Sequence, residues 1–287
     1  MKLVLIVLFS LALIGLVLRS ELNQAYSQGE SRAVLDRSGQ IILLQPNNKQ
    51  FYSLYATTSP ARFRKWLLAK EDRYFFYHPG INPVSILEDG LSQLGIGARR
   101  GSSTMTQQLV KILLQHETDR STVNKIGELA YTLAAEIFYS KREIATRYLN
   151  SVYFGSRLEG VEAASRAYFK TSADKLSHEA AMQLLAALSN PSYHNPTSGT
   201  NIPLAQALAG RLGVPVVETN FISPELARRN VTDFLNFSQS FELGKFLEEV
   251  KVDDGGGAKN IETTIELELT EKIRKIVASA MPSLYAR

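Results

Sequence analysis

Gly101-Ser102-Ser103-Thr104-Met105-Thr106-Gln107-Gln108-Leu109-Val110-Lys111 carries a fold signal and a chemical one in the same stretch. Thr104 and Gln107 have capping-box spacing, and Met105, Leu109, Ile112 and Leu113 recur behind them at helical intervals. A helix with one buried apolar stripe is expected there. Capping uses Thr104 and Gln107 alone. Ser103, Gln108 and Lys111 are surplus to it, and with the unpaired amides of a helix start they make a natural anion site. Surface helices also carry such residues, so on local sequence a solvated face stays open.

Upstream, Ser59-Pro60 supplies an N-cap and a first-turn proline, and Phe63, Trp66 and Leu67 then share one face of a helix running to Glu71. Glu71-Asp72-Arg73-Tyr74-Phe75-Phe76-Tyr77-His78-Pro79-Gly80 follows. A glutamate among four rings is expected to be partly desolvated, which raises a carboxyl pKa toward the range useful for proton transfer. The competing reading is a surface glutamate paired with Lys70 or Arg73. His78, before Pro79-Gly80, reads as a residue that orients the loop by hydrogen bonding.

Downstream, a long helix is expected over about Thr122 to Tyr139, with Ile126, Leu129, Leu133 and Ile137 facing inward. Glu128 flanks that stripe. Glu136, eight positions on, lies about 80° further round a helix, so both carboxylates could face one side. Two glutamates facing one cleft are the usual means of chemistry at an anomeric carbon, although ordinary helix solvation explains them as well. Ser140-Lys141-Arg142-Glu143 is a second capping box, opening a helix that ends near Asn150. Gly155 and Gly160 mark turns, Val161 to Phe169 reads as a small-residue helix, and Ser177 caps another ending before Asn190-Pro191. The chain is therefore mainly α, with a helical domain over 55–200.

The flanks differ. Residues 1–22 hold an uncharged apolar run from Leu3 to Leu18, closed by Arg19. It is slightly short of the roughly 20 residues that span a bilayer, and reads as a signal-anchor, with a cleaved signal ending near Ala25-Tyr26-Ser27 as the alternative. Residues 23–58 form a β-rich juxtamembrane segment in which Ala33-Val34-Leu35 and Gln40-Ile41-Ile42-Leu43-Leu44 flank the turn Asp36-Arg37-Ser38-Gly39. Residues 201–258 read as a helical linker region ending in Asp253-Asp254-Gly255-Gly256-Gly257. Residues 259–287 open like a strand at Ile261-Glu262-Thr263-Thr264-Ile265 and continue as a helix, the start of an incomplete domain.

Composition excludes several classes. Among 287 residues, 45% hydrophobic and 21% charged content is ordinary for a globular chain, and the net charge of +4 suits an anionic substrate or membrane without demanding one. The absence of cysteine excludes thiolate nucleophiles and cysteine-bound zinc, and the four histidines show no metal-ligand spacing.

Together these segments resemble the glycosyltransferase domain of class A penicillin-binding proteins, glycosyltransferase family 51. The family's Glu-Asp-x-x-Phe-x-x-His-x-Gly is matched by Glu71, Asp72, Phe75, His78 and Gly80. Its Gly-Gly-Ser-Thr-x-x-Gln-Gln-x-x-Lys is matched by Gly101, Ser102, Ser103, Thr104, Gln107, Gln108 and Lys111, and its Arg-Lys-x-x-Glu by Asn124, Lys125 and Glu128. Tyr148, Leu149, Asn150, Phe154 and Gly155 follow its Tyr-Leu-Asn-x-x-x-Phe-Gly, and further matches run to Asn195-Pro196.

The resemblance implies a lysozyme-like helical fold behind a membrane anchor, with residues 259–287 resembling the start of a transpeptidase domain. It implies polymerisation of lipid II into glycan strands at the outer face of the bacterial inner membrane, with inversion and release of undecaprenyl diphosphate. Glu71 would be the base. Glu128, Ser103, Lys111 and Lys125 would handle the diphosphate, Glu128 through a divalent cation such as Mg or Mn. Asp72, Phe75, His78, Thr104, Gln107 and Gln108 would complete the substrate site. No organic cofactor and no nucleic acid are implied; other cell-wall synthesis proteins are candidate partners. This chain departs from the family at Glu88, Asn124 and Gly127, where cations are usual, and Arg99, Arg100 or Lys141 are candidates to compensate. A weak or inactive relative that only binds lipid II, and a lytic hydrolase, are the competing readings.

Overall fold

The computed structural model describes residues 2–35, 41–82, 103–114, 122–238 and 260–262. The turn at Asp36–Gly39, Glu88, Arg99, Arg100, Gly101, Ser102, the side chains of Asn124 and Lys125, the glycine-rich segment at 253–257 and everything after Glu262 lie outside the described residues.

Helices dominate. The first, α1, spans Lys2–Gln28; a hairpin of β1 (Arg32–Leu35) and β2 (Ile41–Gln45) follows, then the short β3 (Tyr52–Ser53) and α2 (Ala61–Glu71). Next come α3 (Met105–Leu114), α4 (Thr122–Phe138) and α5 (Lys141–Ser151). After β4 (Leu158–Glu159), α6 (Val161–Phe169) and α7 (His178–Ala187) lead to α8 (Asn201–Leu212) and α9 (Pro224–Ser238), and β5 (Asn260–Glu262) closes the described chain. The hairpin is antiparallel with Ala33 opposite Leu44, and β5 joins the other edge of β1 in parallel, Val34 opposite Ile261. The strand expected at residue 261 thus belongs to the sheet formed by β1 and β2.

The capping residues act largely as their spacing predicts. Ser140 accepts from the Glu143 amide at 3.2 Å while Glu143 accepts from the Ser140 amide at 2.7 Å. Ser177 caps α7 by accepting from the Ala180 amide at 3.1 Å. Ser59 is an exception: its hydroxyl accepts from the Arg64 guanidinium, and α2 begins one residue later than expected, without a side-chain cap. Phe63 and Leu67 of α2 are buried in one core with Met105, Leu109 and Leu113 of α3 and Ile144 and Leu149 of α5.

Residues beyond 200 belong to this core. Ala205, Leu208 and Ala209 of α8 and Ala227 and Val231 of α9 are buried in it. Asn201 donates to the Gln183 carbonyl at 2.9 Å, and Asn230 to that of Tyr168 at 2.8 Å. Up to residue 238 the segment read as a linker is therefore part of the packed domain.

The stripe on α4 corrects another expectation. Ile126, Leu129, Leu133 and Ile137 are 66, 39, 41 and 76% exposed. The buried side of α4 is made by Thr132, Ala134 and Ala135. Helical periodicity identifies an apolar face but not what covers it, protein or lipid. The stripe belongs with α1, whose residues from Val4 to Val17 are largely exposed and which is, among the described residues, the one helix long and apolar enough to cross a membrane. The two helices touch: a Cβ on Gly15 would lie 3.2 Å from the Phe138 ring, the Arg19 guanidinium sits 5.4 Å from that ring, and Tyr139 donates to Asn23 at 2.9 Å. Further along, α1 enters the domain. Leu22 is buried, Tyr26 stacks on Tyr55 with centroids 4.6 Å apart, and Asn150 donates to the Tyr26 hydroxyl at 2.7 Å.

Candidate active site

At the end of α2 the chain turns sharply, and the residue after Glu71 fixes the turn. Asp72 is buried, with Oδ1 2.9 Å from His78 Nε2 and Oδ2 accepting from the Met105 amide at 2.8 Å. A carboxylate on the first amide of a helix is a charge-assisted contact reinforced by the helix dipole. The same helix start holds the other end of the turn. Thr104 donates to the Gly80 carbonyl at 2.6 Å and closes a capping box with Gln107, whose amide it accepts at 3.2 Å and whose Oε1 takes the Thr104 amide at 2.9 Å.

A second set of contacts clamps the turn from α4 and α5. Lys141 donates to the His78 carbonyl at 2.7 Å and to Glu136 at 2.8 Å, and its ammonium stands 4.5 Å from the centre of the Phe75 ring. Thr106 donates to the same Glu136 carboxylate at 2.5 Å. Gly80 sits in the crook with φ +80°, and a Cβ there would meet Thr132 Cγ2 at 2.7 Å and Glu136 Cγ at 2.8 Å. Gly80→Ala combines left-handed strain with overpacking, and is expected to cost about 1–3 kcal/mol in urea or thermal unfolding.

Against this frame the polar groups form a row. The Glu71 carboxylate is mostly buried and lies against the Lys70 ammonium, so the expected pairing with Lys70 forms but not at an exposed surface. Tyr148 of α5 comes next. Its burial, and then the charge of Glu71, push its phenol well above the ordinary value, so it stays a protonated donor, and it donates to Gln108 at 3.0 Å. Gln108 and Lys111, three apart, share a face of α3. Lys111 Nζ is 3.7 Å from Glu128 Oε2, the lysine more open to solvent than the glutamate. Ser103 stands half-buried immediately before the Thr104 cap.

Separate contacts thus bring Glu71 near Tyr148, Tyr148 to Gln108 and Lys111 to Glu128, and other expected site residues stand apart from these. Phe75 is fully buried, so it packs behind the site and does not face a ligand. Asp72 and Thr104 are buried and spend their polar atoms on the frame; His78 is buried with Nε2 on Asp72, the orienting contact read for it, while its Nδ1 has no hydrogen-bond partner among the described residues. The four-ring cage around Glu71 does not form: Tyr74, Phe76 and Tyr77 are exposed, because the successive turns at 73–77 send only Phe75 inward. Glu136 does not join Glu128 at the site; it is consumed by Lys141 and Thr106. Lys141, so occupied, does not replace a missing cation. Tyr148 was not among the expected site residues, and its place in the row depends on a partner 40 positions away.

Glu128 alone does not make a metal site. No group of three histidine, cysteine, aspartate or glutamate side chains able to hold a metal occurs among the described residues, and the cationic neighbour of Glu128 is Lys111. The described residues alone do not supply the several oxygen ligands that a dication bound without substrate would need.

Known proteins share much of this sequence. The family model described as Transglycosylase matches residues 38–211. Penicillin-binding protein 1B of Haemophilus influenzae is 34% identical over 54% of this chain, and penicillin-binding protein 1A of Aquifex aeolicus is 32% identical over 61%. The chain spans only 20% and 24% of their lengths. A biosynthetic peptidoglycan transglycosylase of Acinetobacter baylyi is 39% identical over 46% of this chain and 59% of its own length. Because the family match takes in most of the helical domain and every member of the row from Glu71 to Glu128, this chain belongs to the transglycosylase family.

Proposed function

We propose that this chain is a peptidoglycan glycosyltransferase that polymerises lipid II, with Glu71 as the general base. The observation that carries the reading is the row itself: a carboxylate at one end, a lysine at the other, and Tyr148 and Gln108 between them on a rigid frame. A base and an anion-binding cation on one wall suit a sugar transfer in which a hydroxyl is deprotonated at one point and a diphosphate departs at another.

In that reaction the acceptor's 4-hydroxyl gives its proton to the Glu71 carboxylate as its oxygen attacks C1 of the donor sugar. The bond from C1 to the phosphate oxygen breaks, and the lipid diphosphate leaves with the electron pair. Attack opposite the leaving group inverts the anomeric centre. Lys111 neutralises charge on the departing diphosphate, with Ser103 beside the helix start and Lys125 as a further contact. Glu128 holds the Lys111 ammonium in place. Within this reading α1 crosses the membrane, the exposed face of α4 lies on it, and the domain stands on its outer side, where the lipid tail of the substrate can stay in the bilayer.

Purified chain in detergent, incubated with lipid II, is expected to produce glycan strands; binding without polymer would reject the enzyme reading in favour of a binding protein. Lys111→Ala should weaken diphosphate-containing ligands by about tenfold or more, the worth of one charge-assisted contact. Sugar-only ligands should lose far less, and equal losses in calorimetric titration would remove the anion site.

A further inference from the structure

A cavity of about 750 Å³ lies between the last turn of α1, residues 55–59, the first turn of α2 and the first half of α5. It is a different place from the row described above. Thr146, in its lining, is about 200° round α5 from Tyr148, which faces Glu71. Arg64, Arg142 and Arg147 are among the residues lining the cavity, together with Glu30 and Glu143. Glu143 is committed to the capping box, whose hydrogen bonds from Ser140 hold its pKa below the ordinary value. The balance is one net positive charge in a hollow edged with hydroxyls.

Arg147 is held as a fixed anion-binding group would be. Its guanidinium lies between the rings of Tyr26 and Tyr139, 4.5 and 4.2 Å from their centres, and donates to Asn23 at 2.9 Å. Its Nη1 is buried without a hydrogen-bond partner among the described residues, an unspent donor of the kind that calls for an acceptor. Arg142 is exposed and makes no ion pair with any described residue.

The height of the cavity narrows the choice of anion. Phe138 touches Gly15, inside the apolar run of α1, and Arg19 caps the same ring. α5 begins only three residues after Phe138, so Arg142 stands where that run ends. Tyr26 is about 12 Å beyond Leu18 along α1, at 1.5 Å per residue. Headgroups occupy roughly 5–8 Å outside the hydrocarbon core, so the hollow rises out of the headgroup layer.

We propose that this cavity takes the headgroup of an anionic phospholipid, recognised through the uncompensated negative charge of its phosphodiester by Arg142 and Arg147, with Thr146 and Arg64 at its sides. The assignment rests on α1 crossing a membrane and is independent of the glycosyl transfer.

The test uses the full chain in detergent and native mass spectrometry with added phosphatidylglycerol or phosphatidylethanolamine. Wild type is expected to retain phosphatidylglycerol in preference to phosphatidylethanolamine. Arg142→Gln should reduce that retention about fivefold, the usual worth of one basic side chain near a charged membrane surface. Arg142→Glu should reduce it further, and Arg211→Gln, on exposed α8 surface, should leave it unchanged. Unaltered retention in both Arg142 variants, or equal retention of the two lipids, overturns the site. Displacement of the lipid by millimolar inorganic phosphate overturns the lipid in favour of a free anion. Lipid II polymerisation by the same variants in detergent is expected to match wild type, so failure of the headgroup site and failure of the transferase reading are seen in separate measurements.

Discussion

Glu71→Gln is expected to lower glycan polymerisation by about 10²–10⁴-fold, the usual contribution of a positioned general base. The amide keeps the volume and the hydrogen-bonding reach of the carboxylate, and loses the capacity to take a proton together with the charge paired with Lys70. Asp72, the next residue, anchors the turn through His78 and Met105 and is untouched, so the frame persists. Lys111 and Glu128 at the other end of the row are also untouched. Donor affinity should therefore stay near wild type while single-turnover rate collapses. The pair of measurements is decisive: turnover close to wild type removes Glu71 as the base, and a parallel loss of affinity reassigns it to binding.

Asp72→Ala is expected to cost about 2–6 kcal/mol of stability, because two buried donors lose their acceptor at once. Both carboxylate oxygens are in use, and truncation strands His78 Nε2 and the Met105 amide without a partner. Each such donor costs roughly 1–3 kcal/mol when left unsatisfied in the interior. Asp72→Asn should be milder, since one oxygen remains to accept. Chemical denaturation of the three proteins gives the order directly; an alanine variant as stable as wild type would show that the turn is held by Thr104 and Lys141 alone.

The helices were legible in the sequence wherever a cap coincided with an apolar period. Ser140 to Glu143, Ser177, and Thr104 with Gln107 all mark helix starts within the chain's own local chemistry. The residues at the two ends of the row were legible too, because their motifs are contiguous. What joins them was not. Tyr148 meets Gln108, and Lys141 reaches His78 and Glu136, across gaps that no local pattern spans. The apolar stripe of α4 misled for a related reason. Its period is that of a buried face, and only the position of α1 beside Phe138 shows that the face is turned outward. The ring cage around Glu71 failed because four consecutive aromatics in tight turns cannot all point the same way.

One continuous helix links the apolar, exposed residues Val4 to Val17 to Leu22 and Tyr26, which are packed among the residues of the domain. A stalk without a joint carries its load at constant altitude and cannot swivel freely. If α1 spans the bilayer as proposed, any slope in the lipid sheet would reach the domain as an equal inclination.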